Sequence, residues 1–122
     1  MIEVLVADDN PMQRKLVALT LADDENIIVK GEAENGEDVL RLLEDEIFDV
    51  IILDVSLPKK SGIDVLKELR AMGKEIPVIV VSNFPREEFE SAVQAMGAFR
   101  YLEKNDLPDK ILETVRACVS SQ

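Results

Sequence analysis

The chain has no histidine, no tryptophan and only one cysteine, Cys118, among its 122 residues. A lone cysteine cannot pair within the chain, and a domain of this length buries roughly two-thirds of its unfolded surface without disulfides. The sequence also contains no secretory signal, transit peptide or apolar run long enough to span a membrane. Length and these absences predict one domain, located in the cytoplasm and not in a membrane.

Basic residues are scarce as well. The chain has 14 Lys and Arg residues against 25 Asp and Glu residues, for a net charge of −11. Binding a nucleic acid backbone requires a basic stripe, and none is visible, so we expect no direct nucleic acid binding by this chain. Most of the acids are interpreted as ordinary solvated surface.

Apolar, β-branched runs alternate five times with stretches of helical periodicity. The predicted strands are Ile2 to Ala7, Ile27 to Ala33, Val50 to Val55, Val78 to Val81 and Arg100 to Glu103. Helix-start signals lie at Asn10-Pro11, Ser61-Gly62, Pro85 and Asp106 with Pro108. The third and fourth runs are apolar at nearly every residue, as expected of strands covered on both faces. The pattern predicts an α/β domain over residues 1–122, with helices on both sides of a parallel sheet and no output domain in this chain.

Polar side chains mark the carboxyl ends of these strands, where the functional crevice of an open parallel sheet lies. They are Asp8 and Asp9 after the first strand, Asp54 after the third, Ser82 after the fourth and Lys104 after the fifth. The second strand gives only Glu32, Glu34 and Asn35, which are less distinctive in a glutamate-rich chain. Each residue alone could be a turn or capping residue, but those roles predict no common location. Their convergence on one rim therefore favours a site.

The chemistry of this rim follows from its charges. Three neighbouring carboxylates cannot all stay ionised without a cation, and a hard, oxygen-seeking ion such as Mg²⁺ fits best. The metal, with Lys104 as a positive charge and Ser82 as a hydrogen-bond donor, would attract a phosphoryl group. Asp54 is then placed as the nucleophile that forms an aspartyl phosphate. Such a transfer needs mainly positioning and charge neutralisation, so the lack of histidine is no obstacle.

The segments VADDN, VIILDVSLPKKSGIDVLKEL, PVIVVSN and GAFRYLEKND resemble the receiver domain of two-component response regulators over nearly the whole chain. The resemblance implies a flavodoxin-like (βα)5 sandwich with strand order 2-1-3-4-5. It also implies phosphorylation by a histidine kinase or a histidine phosphotransfer protein, in a protein that is not an enzyme beyond its own phosphorylation and dephosphorylation. The expected output is a change in the face formed by the fourth helix, fifth strand and fifth helix, where an output domain or a second copy would bind.

The resemblance also assigns roles to individual residues. It implies that Asp54 is the phosphoacceptor, that Asp9 binds Mg²⁺ directly with Asp8 assisting, and that the main-chain carbonyl of Ser56 is a further ligand. It implies that Ser82 and Lys104 hold the phosphoryl oxygens, and that Tyr101 is the aromatic residue that turns inward when the domain is phosphorylated.

Some positions depart from the family pattern or separate it from alternatives. Asn105 stands where most receivers have a proline that is commonly cis, and the surrounding sequence is more similar to receivers that precede helix-turn-helix output domains. A flavin-binding protein of the same topology is disfavoured because Asp8 and Asp9 would repel its phosphate. An aspartate-nucleophile phosphohydrolase would need an acid where Ser56 stands. The remaining alternative is a receiver-like interaction module that is not phosphorylated.

Overall fold

The structure is a computed structural model that describes residues 1–120, in which five strands alternate with five α-helices. The strands are β1 (Ile2–Ala7), β2 (Ile27–Ala33), β3 (Val50–Asp54), β4 (Val78–Ser82) and β5 (Arg100–Glu103). The helices are α1 (Pro11–Leu21), α2 (Gly36–Asp45), α3 (Gly62–Ala71), α4 (Arg86–Ala95) and α5 (Leu107–Ser120), and a 3₁₀ turn at Lys104–Asp106 precedes α5. The sheet is parallel with the order β2-β1-β3-β4-β5, which confirms the predicted fold.

The register of the central strands brings the expected strand ends together. Ala7 of β1 pairs with Leu53 of β3, so Asp8 lies beside Asp54 at the same edge of the sheet. Ser82 pairs with Glu103, and Lys104 comes directly after Glu103 in the chain. Every residue of β3 and β4 is buried, so a slip of either strand by one residue would move each of its side chains into the opposite core and disrupt the packing of both.

Each face of the sheet has its own apolar core. The helices α2, α3 and α4 cover one face through Val39, Leu66, Leu69 and Val93, among others. The helices α1 and α5 cover the other face through Val17, Leu21, Ile111 and Val115, among others. Cys118 is fully buried in this second core, and burial raises the pKa of its thiol to about 12, so it acts as a small apolar side chain.

The helix starts follow local capping chemistry. The side chain of Asn10 accepts hydrogen bonds from the backbone N–H groups of the first turn of α1, and Ser61 does the same for α3. Asn35 caps α2 in the same way, at a helix start that was not predicted. The α5 helix begins at Leu107, directly after Asp106, as predicted, and the 3₁₀ turn at Lys104–Asp106 that precedes it was not predicted.

Candidate functional site

Three carboxylates meet at the carboxyl edge of the sheet. Asp8 and Asp9 leave β1, Asp54 ends β3, and one carboxylate oxygen from each lies within 4.8 Å of the others. Asp8 and Asp54 are only 4% and 2% exposed, whereas Asp9 is open to solvent. The structure therefore confirms the predicted convergence, with two buried acids and one accessible acid at a single opening.

Lys104 bridges the two buried acids. Its Nζ donates a hydrogen bond of 3.1 Å to Asp54 Oδ2 and lies 3.6 Å from Asp8 Oδ2. Burial favours the neutral amine, but the hydrogen bond and charge of Asp54 together with the charge of Asp8 outweigh it, so the pKa of Lys104 is raised. Burial raises the pKa of Asp8 despite the N–H of Asn10 and the charge of Lys104, and the negative charge of Asp54 adds to that effect.

The donor set fits a hard divalent cation. Asp54 Oδ1 accepts the backbone N–H of Ser56 at 3.0 Å, and Asp8 Oδ1 accepts that of Asn10 at 2.9 Å. Within residues 1–120, no group donates a hydrogen bond to the carboxylate of Asp9. The cluster thus offers three hard oxygen ligands, one of them solvent-exposed, which suits an ion that keeps part of its water shell. Such an acidic triad is typical of the Mg²⁺ site in receivers.

The loop after Asp54 is held close to the site by two glycines. A Cβ on Gly62 would collide with the backbone carbonyl of Asp54, and one on Gly36 would collide with the carbonyl of Lys60. Lys59 adopts φ 66°, a left-handed conformation that is uncommon for a residue other than glycine. This close packing fixes the turn that contains Ser56. Whether the Ser56 carbonyl ligates a cation stays a prediction.

Ser82 and Tyr101 are both hydrogen-bonded to the backbone of Phe84. Ser82 is buried, and its Oγ accepts the N–H of Phe84 at 3.0 Å. Tyr101 is 1% exposed, and its hydroxyl donates a hydrogen bond of 2.7 Å to the carbonyl of Phe84. Tyr101 of β5 is therefore fully buried and has the inward orientation. Both side chains line an apolar cavity of about 90 Å³, beside the rings of Phe84 and Phe89.

Comparison with known families identifies the chain. The family model described as the response regulator receiver domain matches residues 4–116. The chain belongs to this receiver family. The receiver fold, the acidic pocket and Lys104 at its edge agree with this assignment, and a receiver domain implies a cognate histidine kinase.

The chain is similar over nearly its whole length to parts of two curated proteins and to one solved receiver structure. It is 30% identical over 121 residues to the uncharacterized transcriptional regulatory protein YxjL of Bacillus subtilis, covering 99% of the chain and 56% of that protein. It is 39% identical over 118 residues to a protein-glutamate methylesterase/protein-glutamine glutaminase of Halalkalibacterium halodurans, covering 94% of the chain and 34% of that protein. The receiver domain of the Francisella response regulator 1452 superposes with a TM-score of 0.92 at 27% identity, covering 99% and 98% of the two chains.

The chain thus spans about half of YxjL and a third of the methylesterase. Its relatives include regulators of the LuxR and NarL type with helix-turn-helix output domains, which confirms the resemblance noted around Asn105. Within residues 1–120, no helix is both long enough and apolar enough to cross a membrane.

Sequence reasoning missed one basic residue of the receiver site. Arg14 of α1 donates from Nη1 to the backbone carbonyl of Asp8 at 2.7 Å and from Nε to Glu32 Oε1 at 2.9 Å. Glu32 is undistinctive in the sequence and gains its role only from this contact. The signal in the sequence is positional, because Arg14 lies one helical turn after the cap Asn10 and long helical side chains lean toward the helix N-terminus.

Proposed function

We propose that this receiver is a phosphorylation-dependent switch of a two-component system, in which Asp54 accepts a phosphoryl group from a histidine kinase or a histidine phosphotransfer protein. The observation that carries the proposal is the environment of Asp54. Its carboxylate is almost fully buried, clusters with Asp8 and Asp9, and accepts a hydrogen bond from Lys104. A structural turn residue would need neither a lysine 50 positions away in the sequence nor two acidic neighbours.

The reaction would form a bond between a carboxylate oxygen of Asp54 and phosphorus while the bond from phosphorus to the donor's histidine nitrogen breaks. Lys104, already bonded to Asp54, would place its ammonium against the phosphoryl oxygens as negative charge accumulates there. Ser82, at the end of the next strand, would donate its hydroxyl to another of these oxygens. The chain needs no general base because a carboxylate nucleophile has no proton to give up as it attacks.

Mg²⁺ would be held by the carboxylates of Asp8, Asp9 and Asp54 and by the main-chain carbonyl of Ser56. When bound, it would neutralise the acids and orient the phosphoryl oxygens. Asp8 already accepts the N–H of Asn10 and faces Lys104, so its role is to assist, whereas Asp9 is the acid with free oxygens and the direct ligand.

The output would pass through Ser82 and Tyr101 to the face formed by α4, β5 and α5. A hydroxyl drawn toward a new phosphoryl group would release the N–H of Phe84, whose carbonyl is bonded to Tyr101. The inward orientation of Tyr101 is thus linked through Phe84 to the segment that begins α4. We propose that an output domain or a second copy of the chain binds this face.

Three further features complete the proposal. Residues 1–122 act as one receiver domain that catalyses only its own phosphorylation and dephosphorylation. The net charge of −11 disfavours direct nucleic acid binding by this chain. The single, buried and unpaired cysteine supports a cytoplasmic location, where thiols stay reduced.

The test is phosphorylation by acetyl phosphate with Mg²⁺, followed by intact-mass measurement. We expect one acid-stable, base-labile phosphoryl group on the parent and none on Asp54→Asn. The control Asp23→Asn removes the same charge from an exposed position in the α1–β2 loop and should accept phosphate as the parent does. Lys104→Ala should lose the conformational response even where some phosphate is accepted.

Two outcomes would contradict the proposal in different ways. Equal modification of the parent and Asp54→Asn would reject Asp54 as the acceptor. A parent that accepts no phosphoryl group from acetyl phosphate or from any phosphorylated histidine donor would favour the unphosphorylated interaction module.

A further inference from the structure

Arg14 reaches from α1 to the backbone of the acidic pocket and bonds a main-chain carbonyl there. Its Nη1 donates to the carbonyl of Asp8 at 2.7 Å, and its Nε donates to Glu32 at 2.9 Å. The arginine side chain is only 15% exposed, whereas that of Glu32 is 53% exposed. A largely buried guanidinium thus ties the end of β1 to the end of β2.

The Asp8 carbonyl that accepts this hydrogen bond from Arg14 belongs to the peptide unit between Asp8 and Asp9. The carbonyl of Asp8 and the N–H of Asp9 lie in one plane, so fixing the carbonyl fixes the orientation of that unit. The next N–H, that of Asn10, is held by Asp8 Oδ1 at 2.9 Å. Both peptide units that flank Asp9 are therefore anchored. Its carboxylate accepts no hydrogen bond within residues 1–120, so this backbone is what orients it.

We propose that Arg14, oriented by Glu32, is a positioning residue that presets Asp9 for Mg²⁺ binding. The inference rests on the proposed function, in which Asp9 is the direct ligand. Groups that orient metal ligands from outside the coordination shell are typically worth about 10- to 100-fold in metal affinity. Arg14 differs from the usual case because it orients the ligand through the main chain.

Arg14 could act as a positive charge or as a positioning residue, and the two roles predict opposite changes in Mg²⁺ affinity when it is replaced. If Arg14 acted only as a positive charge near an acidic cluster, its removal would make the site more negative and Mg²⁺ would bind more tightly. If it positions Asp9, its removal lets the loop relax and Mg²⁺ binds more weakly. The direction of the change therefore distinguishes the two roles.

The test is isothermal titration of Mg²⁺ into the parent and Arg14→Met, which keeps most of the apolar stem and removes the donors. We expect Mg²⁺ affinity to fall by roughly 10- to 100-fold. The matched control is Arg116→Met, because Arg116 also donates from Nε to a carboxylate, that of Asp24 at 2.9 Å, away from the pocket. The Mg²⁺ affinity of Arg116→Met should stay within about twofold of that of the parent, as expected when a screened, distant charge is removed.

A second measurement needs no metal. Backbone ¹⁵N relaxation of the metal-free protein should show a lower order parameter for the Asp9 amide in Arg14→Met than in the parent, with that of Val55 unchanged. Arg14→Lys, which keeps the charge and can reach one acceptor, should fall between the parent and Arg14→Met in Mg²⁺ affinity.

The outcomes separate this inference from the function on which it rests. A parent that binds no Mg²⁺ rejects the proposed function. A parent that binds Mg²⁺, with Arg14→Met binding it equally or more tightly, overturns the positioning role alone. If Arg14→Met does not fold, Glu32→Ala is compared with Glu32→Gln, which removes the same charge but keeps an acceptor for Nε. Weaker Mg²⁺ binding by the alanine variant supports the proposal, and equal binding overturns it.

Discussion

Replacing Asp9 with asparagine should stabilise the metal-free protein. The Asp9 carboxylate lies within 4.8 Å of those of Asp8 and Asp54 and has no compensating ion pair within residues 1–120. Because Asp9 is exposed, the dielectric of water applies, and each repulsion at this distance is about 0.9 kcal/mol. The adjacent N-terminus of α1 favours the negative charge by about 0.3–1 kcal/mol. The net gain in the free energy of unfolding is therefore about 1 kcal/mol.

Asp54→Asn should gain less than Asp9→Asn, although it removes the same charge. Asp54 also repels two acids, but it is paired with Lys104 at 3.1 Å, and the substitution gives up that attraction. The structure thus predicts a larger gain in stability for Asp9→Asn than for Asp54→Asn, whereas the sequence alone predicts a gain for both without ranking them.

The assay is thermal unfolding at low ionic strength with a chelator. For 122 residues, a gain of 1 kcal/mol corresponds to about 4 °C in Tm. Asp23→Asn controls for net charge because its side chain is exposed and distant from the pocket. Added Mg²⁺ should raise the Tm of the parent more than that of Asp9→Asn. A Tm gain for Asp9→Asn no larger than that of Asp23→Asn, or equal Mg²⁺ effects, would refute the shared site.

Three other predictions concern the neighbouring side chains. Burial raises the pKa of Asp8 above 3.8, so the folded protein holds the Asp8 proton more tightly than the unfolded chain does. The stability that this proton contributes is therefore lost as the pH rises through the folded-state pKa. Urea unfolding in a chelator should therefore show the free energy of unfolding of Asp8→Asn rising relative to that of the parent as the pH increases above about 4, and parallel pH profiles would contradict this. We expect the large, apolar ring of Phe84, two residues after Ser82, to obstruct attacking water. Phe84→Ala should therefore shorten the lifetime of the phosphorylated protein, followed by intact mass, and an unchanged decay rate would remove that role. Tyr101, the only tyrosine, is 1% exposed and hydrogen-bonded to the Phe84 carbonyl, so acrylamide should quench its fluorescence weakly in the parent both before and after beryllofluoride and Mg²⁺ are added, and strong quenching in either state would contradict the inward orientation.

Much of the site could be predicted because its members come directly after strands in the sequence. Asp8, Asp54 and Lys104 each lie at a strand end that periodicity locates to within one residue, and a parallel sheet brings such ends to one edge. The contacts among them were not predictable. Lys104 and Asp54 are 50 positions apart, and their hydrogen bond depends on the register of β3, β4 and β5.

The sequence by itself determined the alternation of strands and helices, the two-sided burial of the central strands and the residue types at the strand ends. These features are local, since periodicity, capping and turn chemistry act within a few residues. Only the tertiary structure decided that Arg14 and Glu32 support the pocket and that Tyr101 lies inward against Phe84. Such contacts join separate strands and helices, so their distances depend on packing that no local pattern encodes.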